Sequence, residues 1–178
     1  MSYRKYLKDY RIDAQLDEKG RLKPETVYIG GQYTLRPHIS ANDKRLILAA
    51  SILSWPALVG ALTPITKASQ VTYIIIPFAF SALPLFLVTQ AAIALIREDE
   101  SMTRKKAETI SRRLPSNSLF MAILTGAAFL GLIFNAFIKW NEMLPGDIVF
   151  GVLSFFNAAV SLLIFIKTRK IKASAIDC

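Results

Sequence analysis

LILAASILSWPALVGALTPI, residues 46–65, contains no charged residue. An α-helix of about 20 such residues spans the ~30 Å hydrocarbon core of a bilayer. A single run of this kind also fits a buried core helix, so its surroundings decide the reading. Three more uncharged blocks follow it, Val71–Ile96, Ser118–Ile138 and Ile148–Ile166. The chain has 178 residues and is 53% hydrophobic, with a mean hydropathy of +0.37. That leaves too little polar sequence to cover four apolar helices, so lipid must cover them. The sequence therefore predicts an all-α integral membrane protein whose four transmembrane helices form two antiparallel hairpins. Residues 1–44 are an N-terminal segment, 45–166 the transmembrane domain and 167–178 a basic tail.

The net charge is +9. In a soluble chain such an excess would point to nucleic acid. Here its placement gives another reason. With four crossings, all but Lys67 and Lys139 of the 22 Lys and Arg fall on one side: before the first span, in the loop 97–115, and in the tail. That is the positive-inside pattern. It places both termini and the middle loop in the cytoplasm of a plasma (inner) membrane, with anionic headgroups as natural partners and no nucleic acid. Lys105, Lys106, Arg112 and Arg113 are the densest basic group and the candidate surface for docking lipid or a partner protein.

The N-terminal segment lacks the apolar run and cleavage site of a secretory signal, so the first span is expected to insert as an uncleaved anchor. Tyr3, Tyr6, Leu7 and Tyr10 sit at helical spacing among basic residues, which suits a short interfacial helix. From Arg11 to Asp17 polar and apolar residues alternate, the period of a strand. DEKG (17–20) is a turn, and Leu22–Leu35 reads as the returning arm of a β-hairpin. That arm contains Gly30-Gly31. A phosphate loop needs glycines at fixed spacing opening a helix, and Pro37 follows instead, so the pair is expected to be a bulge or bend inside the arm. Such a hairpin is marginal alone and needs a partner surface.

Proline punctuates the first two spans, at Pro56 and Pro64, then Pro77 and Pro84. Each interior proline frees a carbonyl and kinks its helix. In the loop 97–115, Ala107, Ile110 and Leu114 form an apolar stripe on a short surface helix that Pro115 is expected to end. KWNEMLPGD (139–147) is the second outer turn, with Trp140 in the interfacial belt, Pro145-Gly146 turning the chain and Asp147 capping the fourth span.

No span carries an ionisable residue, which disfavours ion coupling and intramembrane hydrolysis. The single histidine, His38, has no neighbours at metal-ligand spacing. Asp13, Asp17, Glu18 and Glu25 read as a solvated turn. The only cysteine, Cys178, allows no intrachain disulfide and is misplaced for prenylation. No catalytic residue, metal or cofactor is expected.

Uncharged polar residues within the spans remain. Asn157 lies at the middle of the fourth span, Asn135 near the outer end of the third and Gln90 toward the inner end of the second. With Trp55, Pro56 and Pro84 they are the candidates for helix packing or for a pocket. Gly151, Ser154, Ala158 and Ser161 make a small-residue stripe on the fourth span, and Ala127, Gly131 and Asn135 one on the third. At the midplane, Asn157 is expected to bond the Ile52 carbonyl freed by Pro56 and the Trp55 indole. Three functions fit in descending order: a non-enzymatic accessory or scaffold subunit, a small-solute transporter or channel acting as a homo-oligomer, and a lipid-modifying enzyme.

Overall fold

The computed structural model describes residues 9–16, 22–62, 66–67, 70–97 and 102–176. Helix dominates. Strand β1 (Tyr10–Leu16) is followed by β2 (Leu22–Tyr28), β3 (Gln32–Arg36), helix α1 (Ala41–Leu62), α2 (Thr72–Phe80), α3 (Ala82–Arg97), β4 (Met102–Thr103), α4 (Arg104–Lys139), α5 (Pro145–Thr168) and β5 (Lys172–Ala175). Four helical stretches are long and apolar enough to cross a membrane: α1, α2 with α3, α4, and α5. Their outer faces carry large apolar side chains such as Leu83, Leu130, Phe134 and Val152, each more than half exposed. A soluble monomer rarely shows apolar surface on this scale, and lipid is the solvent it suits.

The helices pack as a ring. α1 contacts α3 and α5, and α4 contacts α2, α3 and α5. Two apolar clusters fill the interior. One, at the end that carries the β-strands (the sheet end), contains Ile47, Val88, Leu95, Ile110, Leu114 and Ile164. The other, toward the opposite end (the turn end), contains Leu58, Phe78, Leu85, Met121, Leu132 and Phe150. Phe78 and Phe150 stack with ring centroids 4.7 Å apart. Gly151 lets α4 and α5 approach, because a Cβ there would fall 2.8 Å from Leu132 Cδ2.

Several boundaries differ from the sequence expectation. α1 begins at Ala41, ahead of the uncharged block at Leu46. Ser40 caps it: its hydroxyl accepts the Asp43 N–H at 3.1 Å and donates to Asp43 Oδ2 at 2.9 Å. Hydropathy marks where lipid starts, whereas capping marks where the helix starts. The second span is interrupted at Ser81, four residues after Pro77 and three before Pro84. Pro84 has no N–H for the Phe80 carbonyl, which explains a break at this point. Pro145 does not turn the chain but opens α5, where its missing N–H costs nothing. Asp147 is accordingly the third helical residue, and its carboxylate accepts the Leu144 N–H at 2.8 Å.

The largest correction concerns 97–115. Pro115 does not end a surface helix. α4 runs unbroken through it for 36 residues. The buried stripe Ala107, Ile110, Leu114, Ser118, Met121, Thr125 continues at three- and four-residue spacing across the proline. Packing along that whole face outweighs the one hydrogen bond lost.

The N-terminal strands also depart from expectation. β1 pairs antiparallel with β2, Tyr10 opposite Tyr28 and Ala14 opposite Pro24. The returning arm then stops. Gly30-Gly31 is not a bulge within it but the junction to a second sheet, of order β4-β3-β5. The Tyr28 ring lies against Gly30, where a Cβ would fall 2.5 Å from its hydroxyl oxygen. That hydroxyl donates to the Gly31 carbonyl at 2.9 Å and accepts the Arg104 N–H at 3.1 Å. The tail 167–178 supplies β5, which pairs antiparallel with β3. Leu35, Met102 and Ile171 enter the sheet-end apolar cluster, so the sheet is fastened to the bundle by burial as well as by its ladder. The expected interfacial helix around Tyr3–Leu7, the turn 17–20, Pro64 and Cys178 lie outside the described residues; Tyr10 opens β1.

Candidate functional site

Two features stand out, a basic surface at the sheet end and a polar belt inside the bundle.

The length of α4 builds the basic surface. Thirty-six residues at a rise of ~1.5 Å make about 54 Å of helix, against ~30 Å of hydrocarbon. The first turns of α4 therefore project beyond the apolar region. At ~100° per residue, Lys105, Lys106, Arg112 and Arg113 fall within an arc of about 120°, centred away from the stripe of Ala107, Ile110 and Leu114. Lys106, Arg112 and Arg113 are exposed, and Lys105 is half-buried. Arg104, at the start of the same helix, pairs with Glu108 at 3.0 Å and lies 6.0 Å from the Tyr33 ring centroid.

The small sheet adds more charge. Arg36 on β3 stands directly opposite Lys172 on β5, and both are exposed. Like charges at opposed positions repel. Arg169 and Lys170, also exposed, sit in the turn that leads into β5. The carboxylate of Asp43 is engaged by Lys167 at 2.9 Å, which ties the start of α1 to the end of α5. A bound anion would relieve the remaining repulsion.

The polar belt lies between the two apolar clusters. Ser51 and Ser54 come from α1, Ser118 and Thr125 from α4, and Ser154, Asn157 and Ser161 from α5; all are buried. Most spend their hydroxyl on their own helix. Ser51 donates to the Ile47 carbonyl at 2.7 Å, Thr125 to Met121 at 2.8 Å and Ser161 to Asn157 at 2.6 Å. Such back-bonding lets a hydroxyl sit in an apolar interior. Asn157 and Ser154 are the exceptions. Asn157 is fully buried, and neither its Oδ1 nor its Nδ2 has a hydrogen-bond partner; Ser154 Oγ has none either.

The other sequence candidates do not form one pocket with Asn157. Trp55 is half-buried, but its indole N–H donates to Thr89 Oγ1 at 3.1 Å, not to Asn157. Thr89 in turn donates to the Leu85 carbonyl at 2.9 Å. The expected bond from Trp55 to Asn157 is therefore replaced by one between α1 and α3, and no bond from Asn157 to Ile52 forms. Pro56 and Gln90 are exposed on the outer face of their helices, and Pro84 is buried. Asn135 is buried near the turn end. On the third span, the stripe of Ala127, Gly131 and Asn135 runs from exposed to buried, and the packed face is that of Thr125, Ala128 and Leu132.

Sequence reading found Ser154 and Ser161 but missed Thr89, Thr125 and the belt serines Ser51, Ser54 and Ser118. Their three-, four- and seven-residue spacing was the available signal, but it is the same spacing that any helix-packing face shows. Among the described residues no three His, Cys, Asp or Glu side chains gather as metal ligands would. No family model, no curated protein and no solved structure matches this chain.

Proposed function

We propose that this chain is a non-enzymatic accessory or scaffold subunit of a membrane, which docks anionic lipid headgroups through its basic sheet end. The observation that carries the reading is the unbroken α4. It holds Arg112 and Arg113 outward on a helix anchored in the bundle, near a sheet that sets Arg36 against Lys172. Each such charge near an anionic surface contributes up to about 1 kcal/mol. In this reading the sheet end faces the cytoplasm of a plasma (inner) membrane, and the four spans form two antiparallel hairpins. The β1–β2 pair is a hairpin that serves as a further docking module for a partner protein.

The test is lipid enrichment. The purified chain and a variant with Lys105, Lys106, Arg112 and Arg113 all changed to Gln are reconstituted with mixed neutral and anionic phospholipid. The variant should retain less anionic lipid. Equal retention refutes the reading. Loss of a co-purifying acidic protein, with unchanged lipid, would transfer the surface to a protein partner.

A second reading is a small-solute transporter or channel acting as an oligomer without an intramembrane ionisable site. The unpartnered amide of Asn157 favours it, because polar groups left unengaged inside a membrane often serve a pathway. Self-association without a partner, together with solute flux in vesicles that Asn157→Leu abolishes, would support it over the first.

A further inference from the structure

The turn end of the bundle holds a cavity of about 220 Å³ that the proposed docking role does not use. It is lined by Lys67, Gln70 and Val71 from the first turn, Asn135 and Lys139 from the end of α4, and Glu142 from the second turn. Of its polar side chains, Lys67 and Lys139 only donate, Gln70 and Asn135 can donate or accept, and Glu142 accepts. Among the described residues Lys67 and Lys139 are the only Lys or Arg outside the basic end, and both lie beside Glu142, at 3.5 and 3.9 Å. Two ammonium groups share one carboxylate, which leaves one positive charge.

Two further observations point the same way. Val71 is the N-cap of α2, and no side chain caps that helix. The opening N–H groups of α2, which follow the lining residue Val71, therefore have no side-chain acceptor and lie at the positive end of the helix dipole. Asn135 is nine-tenths buried, and no described residue hydrogen-bonds its side-chain amide. Two cations, uncapped helix N–H groups and a buried amide together match an anion with several acceptor oxygens. A carboxylate is already present as Glu142, and a group able to compete with it must bring more acceptors.

We infer that this cavity binds a phosphate group. The cavity lies at the ends of membrane-spanning helices, the level of lipid headgroups, so the phosphate is either that of a phospholipid or free in solution.

The full chain in a neutral maltoside detergent tests this with two probes, inorganic phosphate and dihexanoyl phosphatidylcholine, read by calorimetry and thermal shift. Lys67→Gln with Lys139→Gln should weaken binding by roughly tenfold for each lysine removed. Asn135→Leu, which keeps both charges, should weaken it less but measurably. Ser116→Ala, an exposed change toward the sheet end of α4, should leave it unchanged. Binding of inorganic phosphate with these effects assigns a free-phosphate site; the same effects on the lipid probe alone assign a headgroup site. If neither probe binds, or the lysine pair changes neither affinity, the inference is wrong.

Discussion

Asn157→Leu should stabilise this protein. Leucine has the same number and branching of side-chain heavy atoms as asparagine, so the change removes two polar atoms without adding or deleting a branch. In the structure those atoms are fully buried and have no partner. A buried polar group left unsatisfied costs about 1–3 kcal/mol. Helices separated in a membrane find other polar partners, which reduces that penalty. A net gain of about 1–2 kcal/mol is expected, or roughly a 5- to 30-fold shift in the unfolding equilibrium. The assay is reversible unfolding in mixed micelles with rising SDS, followed by Trp fluorescence. Trp55→Phe provides the contrast. It breaks the bond to Thr89 Oγ1, worth about 0.6 kcal/mol on average and at most about 1.7 in membranes, and should destabilise. If Asn157→Leu instead costs more than about 1 kcal/mol, the amide is engaged in the native state and the reasoning fails.

Gly151→Val should destabilise by about 1–3 kcal/mol, since even a Cβ would fall 2.8 Å from Leu132 Cδ2; Leu132→Ala in the same chain should recover part of the loss in the same unfolding assay. Ile171→Ala should cost about 2–4 kcal/mol by opening the cluster beneath the sheet, and limited proteolysis should then release the tail well before the helices are cut. A single cysteine at Gln70 should react with an impermeant maleimide from outside intact cells, and one at Lys170 should react only after lysis. The opposite pattern would reverse the orientation inferred from charge. In that assay Cys178 is first replaced by Ser.

The sequence by itself determined that four helices are long and apolar enough to cross a membrane and that the positive charge lies outside the apolar runs. Both are one-dimensional properties. A run of uncharged residues is counted along the chain, and lipid accepts no other backbone than one that satisfies its own hydrogen bonds. Where competing forces were local, the sequence was less decisive. Pro115 is a local helix breaker, yet the face from Ala107 to Thr125 buries itself along neighbouring helices, and that summed burial carries α4 through. Only the fold could show this, and with it the outward aim of Arg112 and Arg113. Strand partners were hidden for the same reason. Leu22–Leu35 reads as one arm, but β3 gains a ladder with β5 from the far end of the chain, and Leu35 gains a buried site on the bundle. The indole of Trp55 needed an acceptor, as any indole within a membrane does. Whether Thr89 or Asn157 supplied it depended on which helix faces met. Composition cannot state that, because Ser, Thr and Asn at helical spacing fit many rotations equally well until the apolar clusters on either side select one.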